Sequence, residues 1–342
     1  MNVKKTLLWK ICRKVYAACK FFVFMFTRYD RIEKEHIKRF GKDFPDKTFY
    51  VIRRVEPGAG LLSNFHWVLG HTIYAISKGY IPIVNMENYK TYYKENSLIE
   101  TGSGKTLNAW EYYFEPLDGY SLADIKKAKN VVLSELSNPR IDELPCVFPS
   151  SSLEAGNENV VSVDTISRYY ELVSQYCKFN AKTTSHIESQ KKSFFGNKEN
   201  ILGVLHRGTD YKAAKDHDTP PTIEQTLQKA RQVFQEERFS YIFLCTEEQE
   251  AVDEFCKAFE REKVIISDAQ RIKEYDSGMV PDIIHQNSLS VYKTGLDYLT
   301  DMYLLSQCGG IITPRVNGAI FAIGYNNNKY RYSYVFNLGV NR

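Results

Sequence analysis

At 342 residues, with 43% apolar and 25% charged residues, the chain has the composition of a soluble globular protein and the length of two domains. Its net charge of +4 is too small to point to nucleic acid as a partner. Seven dispersed cysteines, none in a CxxC pair, argue for free thiols in a reducing compartment and against a zinc site.

Residues 1–42 form a basic, aromatic segment running from Lys4, Lys5 and Lys10 to Lys38, Arg39 and Lys42. Its longest uncharged apolar run, residues 21–26, is far below the roughly 20 residues that a spanning helix needs. Lys20 interrupts the apolar stretch and no small-residue cleavage site follows, so a signal peptide is not expected. Lys and Arg mixed with Trp, Phe and Leu suit a helix lying on an anionic membrane surface through residues 1–40, or a basic helix packed on its own protein.

A strand is expected over residues 48–55 (TFYVIRRV), broken by the loop Glu56-Pro57-Gly58-Ala59-Gly60. Apolar residues at helical spacing then predict a helix over 63–78, with Ser63 and Asn64 as natural N-cap residues. The next strand is 81–85, which completes a βαβ unit whose loop amides could face an anion or a sugar. Gly58 and Gly60 alone do not make a dinucleotide fingerprint, and they also serve simply to turn the chain. The tempting TGSGKT at 101–106 lacks the leading glycine of a nucleotide-binding P-loop, whose place is taken by Ile99, and no apolar strand precedes it. It reads as an exposed turn.

Further along, 130–134 is a predicted strand and 163–179 a predicted helix. The polar stretch 191–200 marks the boundary between an N-terminal domain, residues 43–195, and a C-terminal domain, residues 196–342. In the second half strands are expected at 201–205, 239–245, 263–267, 309–313 and 332–338. Helices open after Thr219-Pro220-Pro221-Thr222 and after Glu248, and cover 297–305 and 317–324. Strands alternating with helices at this spacing mean a parallel, doubly wound sheet.

Three of these strand ends carry polar residues: His206, Arg207, Gly208, Thr209 and Asp210; Thr246, Glu247 and Glu248; Thr313, Arg315 and Asn317. In one parallel sheet they share an edge, where α/β proteins bind ligands. An Arg there holds a phosphate through paired, charge-assisted hydrogen bonds, each worth roughly 1.5–3 kcal/mol, and helix N-termini add free amides. The pattern therefore suits a metal-free diphosphate site. The competing reading of HRGTDY is an ordinary β–loop–helix connection with a surface arginine.

These motifs resemble the fucosyltransferase superfamily of GT-B enzymes. That group includes α1,6-, α1,2- and protein O-fucosyltransferases and bacterial nodulation fucosyltransferases. GVLHRGTDY is similar to its strand-ending His-x-Arg motif, FLCTEE to its ATDD-like segment, and DMYLLSQCGGIITPRVNGAIFAIGY to its D-x-x-x-LS-x-C segment. The early GAGLLSNFHWVLGHTIYAISKGYIPIV resembles its glycine loop, helix and strand. The chain departs from the pattern in having His206 adjacent to Arg207, Gly208 in place of a second arginine, and Pro314-Arg315-Val316-Asn317 in place of a serine-rich helix start.

The resemblance implies an α/β, GT-B-like fold of two Rossmann-like domains facing a central cleft. It also implies an inverting, metal-independent transfer of fucose from GDP-fucose to a glycan or lipid-linked acceptor, as in bacterial glycan biosynthesis. Arg207 would bind the β-phosphate, with Arg315 supplying the cation that Gly208 lacks. Thr246, Asp301 and Thr313 would line the guanosine and phosphate pocket. The position of the family's base carboxylate is Lys215 here, so Asp216, His217 and Asp218 are the candidates, or the DHD run is a solvated turn. Asn64 and His66 would contact donor or acceptor from the other domain, unless His66 is a satisfied core histidine. With the basic N-terminus, this implies a cytoplasmic enzyme, peripheral on the inner face of the plasma membrane.

Overall fold

The run Phe49, Tyr50, Val51 and Ile52 is buried on both faces, as the strands of a parallel sheet covered by helices must be. It lies in the computed structural model, which describes residues 11–12, 15, 37–54, 59–88, 91–135, 140–145, 147–148, 162–208, 217–271 and 290–341. The first sheet contains β1 (Ile37–Lys38), β2 (Asp43–Arg53), β3 (Ile81–Asn85) and β6 (Ala128–Leu133), in the order β1-β6-β2-β3. β2 is parallel to both β3 and β6, and β1 pairs antiparallel with β6. The sheet thus recruits residues 37–38, from what the sequence suggested was a separate segment. The membrane-surface expectation for residues 1–40 falls mostly outside the described residues. Among those described, no helix is long and apolar enough to cross a membrane.

Helix α1 (Leu61–Ser77) joins β2 to β3 and starts earlier than its capping residues suggested. Gly60 is the N-cap and no side chain caps it, while Ser63 and Asn64 lie inside the first turn. The helix is buried on nearly every side, so the packing of Leu61, Leu62 and Phe65 decides where it starts. TGSGKT lies across a hairpin, β4 (Ile99–Glu100) with β5 (Lys105–Thr106), and leads into no helix. Gly102 takes the left-handed φ that this turn requires. After the short helix α2 (Leu122–Ile125) and β6, the helices α3 (Val163–Tyr176) and α4 (Ala181–Phe194) lead to the second sheet.

That sheet is entirely parallel. Its strands are β7 (Ile201–Leu205), β8 (Tyr241–Cys245), β9 (Val264–Ile266), β10 (Gly310–Pro314) and β11 (Tyr332–Phe336), ordered β11-β10-β7-β8-β9. The chain runs outward from β7 through α5 (Ile223–Glu236), β8 and α6 (Gln249–Phe259) to β9. It then returns through α7 (Val291–Ser306) to β10 on the other side of β7, and α8 (Asn317–Asn326) connects to β11. This is the doubly wound order, with its reversal between β7 and β10. α5 starts where the run Thr219-Pro220-Pro221-Thr222 predicts, and Thr222 and Gln225 form a reciprocal capping box there.

The two sheets share one continuous apolar core. α3 packs on α8 and α4 on α7, so helices that the sequence assigns to the first domain seat the second. From α1, Phe65 meets Phe321 of α8 edge-on at 5.2 Å. Glu95 accepts hydrogen bonds from Ser290 Oγ at 2.8 Å and from the Tyr292 amide at 3.0 Å, tying the start of α7 to the first domain. On α8, Gly324 lets the Tyr169 ring approach so closely that a Cβ there would stand 2.1 Å from it. Gly324→Ala is therefore expected to lower stability by roughly 1–3 kcal/mol through overpacking. In an unobstructed helix the same change is stabilising. Urea unfolding of the two proteins checks the sign.

Candidate functional site

The reversal of strand order between β7 and β10 opens a crevice at their carboxyl ends, because the following connections leave toward opposite sides. Arg207 stands two residues beyond β7 and Arg315 one beyond β10, one on each side of that crevice. Arg207 Nε lies 3.7 Å from Glu247 Oε1, and Arg315 Nε lies 3.6 Å from Asp218 Oδ1. Both separations exceed a hydrogen-bond length, so each guanidinium is held near a carboxylate without a close contact through Nε. The Arg315 guanidinium also sits 5.5 Å from the centre of the Phe148 ring.

Beneath Arg207, His206 is fully buried. Its amide donates to the Cys245 carbonyl at 2.9 Å, its Nδ1 lies 3.0 Å from Thr226 Oγ1, and its Nε2 lies 3.6 Å from Glu248 Oε1. Its hydrogen bonds tie the end of β7 to β8 and to α5. Gly208 is buried beside it. Thr246 follows β8 and its hydroxyl accepts the Glu248 amide at 3.1 Å, closing the turn into α6. Thr313 is wholly buried and donates its hydroxyl to the Pro314 carbonyl at 3.0 Å, so it lies behind the edge of the crevice. Thr209, Asp210, Asp216 and Gly58 fall outside the described residues.

Of the three base candidates, His217 is exposed and Asp218 is half-buried beside Arg315. Their position depends on the end of the chain. Asp218 bridges antiparallel to Val340, Thr219 N donates to the Gly339 carbonyl at 2.8 Å, and Asn341 N donates to the His217 carbonyl at 2.9 Å. Residues 339–341 therefore clamp residues 217–219, a role that nothing in their sequence announces.

In strand order the end of β9 follows that of β8. There a cavity of about 440 Å³ is lined by Gln249, Asp253, Arg261, Ser267, Asp268 and Arg271, among others. Asp301 of α7 stands behind it, buried, accepting a hydrogen bond from Ser267 Oγ at 2.7 Å. Burial pushes its carboxyl up to about 7, against the opposing effect of the Ser267 hydrogen bond. Among the described residues, no cluster of His, Cys, Asp and Glu is arranged to hold a metal ion.

From the first domain, His66 reaches the opposite wall. Its Nδ1 is 2.9 Å from Asn317 Oδ1 and its Nε2 is 2.8 Å from the Tyr169 hydroxyl. Asn64 is buried one turn into α1, with Nδ2 donating to the Ala59 carbonyl at 3.3 Å. Gly60 caps the same helix. Two further arginines went unremarked in the sequence. Arg53 and Arg54 are buried at the carboxyl end of β2, with Arg53 Nε donating to the Ser134 carbonyl at 3.1 Å and Arg54 over the Trp67 ring at 4.4 Å. The signal was present as paired arginines closing an apolar strand.

No family model matches the chain. No curated protein matches it either. Among solved structures, it is similar to NodZ alpha-1,6-fucosyltransferase co-crystallised with GDP (16% identity, 81% of this chain and 92% of that one, TM-score 0.44). It is similar to POFUT1 in complex with GDP-fucose (10% identity, 86% and 99% covered, TM-score 0.43). A mutant of Arabidopsis thaliana FUT1 in complex with GDP is a third (11% identity, 87% and 71% covered, TM-score 0.44).

Burial lowers His66 from 6.5 to about 4, so the fold holds it neutral. Between these values the unfolded chain takes up a proton that the folded one refuses. Stability contributed by the neutral ring therefore falls as pH drops from 6.5, by roughly 3 kcal/mol in all, and levels off below about 4. Asp301 acts with the opposite sign, since its raised carboxyl favours the fold as pH falls from about 7 towards 3.8. Comparing urea unfolding of the wild type and His66→Phe at pH 7, 5 and 4 isolates the histidine: the gap between them is expected to narrow on acidification.

Proposed function

We propose that this protein is a glycosyltransferase that takes a nucleoside diphosphate sugar and moves the sugar to an acceptor hydroxyl, inverting the anomeric centre without a metal. The observation that carries this reading is the placement of Arg207 and Arg315 on the two strands that flank the reversal of the second sheet. Beside Arg315, α8 begins at Asn317 with Val316 as its N-cap and no capping side chain, so its first amides face the crevice as anion donors. A diphosphate seated between these groups has its nucleoside running over Thr246 toward the cavity at the end of β9. There Asp253 and Asp268 offer the acceptors that the donor edge of guanine requires. The sugar assignment, fucose from GDP-fucose, is supported by the likeness of HRGTDY, FLCTEE and the DMYLLSQC segment to the fucosyltransferase motifs.

In the proposed reaction the acceptor hydroxyl forms a bond to the anomeric carbon as the bond to the diphosphate oxygen breaks. Negative charge grows on the leaving diphosphate, and the fixed guanidiniums and amides stabilise it. The hydroxyl proton passes to a carboxylate within hydrogen-bond reach of the acceptor. Asp218 is the described candidate, fixed by its bridge to Val340 and standing beside Arg315. Asp216 and His217 are its alternatives from the same run. Arg207 and Arg315 bind and orient; His206 holds Arg207 from below. The basic, aromatic composition of residues 1–40 supports action at an anionic membrane surface on a glycan or lipid-linked acceptor, on the cytoplasmic side.

Calorimetric titration with GDP in the presence of EDTA tests the site. Saturable binding is expected, and Arg207→Ala and Arg315→Ala should each weaken it by roughly ten- to a hundredfold, the worth of a charge-assisted contact. Unchanged affinity in both variants would overturn the reading. Asp218→Asn should reduce kcat with GDP-fucose by about 10²-fold or more while saturable GDP binding persists. An unaltered kcat would remove Asp218 from the role of base.

A further inference from the structure

We propose that His66 is a positioning residue for the phosphate-binding turn. From the first domain it fixes the Asn317 side chain and so keeps the turn carrying Arg315 and the opening amides of α8 in place. The inference rests on the phosphate-site reading above and assigns to that site a support from the other domain.

Three elements meet at the imidazole. His66 lies on α1, Asn317 opens α8 and Tyr169 lies on α3, and the two hydrogen bonds measure 2.9 and 2.8 Å. The protonation pattern follows from the partners. Asn317 Oδ1 accepts, and so does the Leu62 carbonyl that also faces the ring, so Nδ1 carries the proton. Nε2 is then the acceptor and takes the Tyr169 hydroxyl proton. A neutral ring satisfies both partners and an imidazolium does not, which agrees with the lowered basicity of this buried group. Both nitrogens are engaged within the chain, so the ring serves as a strut and not as a proton acceptor for substrate.

What the strut accomplishes follows from the chemistry of asparagine at a helix start. Asn317 is the first helical residue rather than the N-cap, so its side-chain oxygen is not the cap of its own helix and is available to His66. α8 has valine at its N-cap, and the Ala319 and Ile320 amides turn back to the Val316 carbonyl. The amides of Asn317 and Gly318 are left to point out of the helix. With Oδ1 held by His66, the turn presents those amides to an anion in one fixed geometry. Arg315 lies two residues upstream on the same turn, between the buried Pro314 and Val316, so anchoring Asn317 anchors the guanidinium as well. Tyr169, itself pressed against Gly324 of α8, fixes the ring from the other side.

Titration of GDP and of guanosine into the wild type and His66→Phe tests this, because only GDP carries the diphosphate. GDP affinity is expected to fall about tenfold or more in His66→Phe while guanosine stays within about twofold. His66→Gln, whose carboxamide N–H can still donate to Asn317 Oδ1, should recover most of the loss. Equal weakening of both ligands in a folded His66→Phe, or no weakening, overturns the proposal in favour of a purely structural histidine. Should His66→Phe fail to fold, Asn317→Ala breaks the same bond from the other end, and retention of wild-type GDP affinity there overturns it equally. A wild-type protein that binds guanosine but not GDP overturns the phosphate site itself, and is seen before any variant is made.

Discussion

Parallel pairing of β7 with β8 on one side and β10 on the other is the constraint on which the site depends. Residues 202–204 of β7 register with 310–312 of β10, so the two strands end almost level. The chain emerging from β7 must turn one way into α5 and the chain emerging from β10 the other way into α8. Two arginines more than a hundred residues apart in sequence are thereby brought to facing sides of one crevice. Neither belongs to the strand interior, where an arginine would have to shed its water; each is set just past the last buried residue, half-shielded and near a carboxylate.

The second constraint is the apolar contact between the halves. α1, α3, α7 and α8 contribute to one core, with Phe65 against Phe321 and Tyr169 against the bare backbone of Gly324. A seam of this kind fixes the two sheets relative to each other by shape, and the polar groups crossing it are then held in place. Glu95 on the start of α7 and His66 on the start of α8 use that opportunity at two helix N-termini of the second domain. The N-terminus of a helix is where unsatisfied amides collect, so contacts from the other domain at these points bear directly on what a ligand finds there.

Much of the second half was legible in the sequence because its strands are short apolar runs followed by amphipathic helices. Residues 201–205 were placed without error, and the run Thr219-Pro220-Pro221-Thr222 marked the start of α5. Where the periodic signal was weak the reading failed. α4, with the sequence AKTTSHIESQKKSF, buries only Thr183 and Ile187 of its helical residues and shows no apolar stripe; Asn180 starts it by capping Thr183. α7 runs from Val291 rather than from Asp297 because Glu95, distant in the chain, satisfies its first turn. α1 begins at Leu61 and not after Ser63 for a related reason: a helix buried all round takes its limits from packing rather than from a cap.

By itself, the sequence determined the class of fold and the five parallel strands of the second sheet, and it set two arginines just past the ends of two of them. Those properties are local, set by apolar periodicity and by the charge and geometry of arginine. Which arginine faces which, that residues 339–341 clamp the segment carrying Asp218, and that His66 spans the two domains to Asn317 were decided only by the tertiary structure. Such pairings join residues separated by up to 251 positions, and no spacing rule along a chain encodes them. They arise when strand order and the shared core close around groups that are silent until they meet.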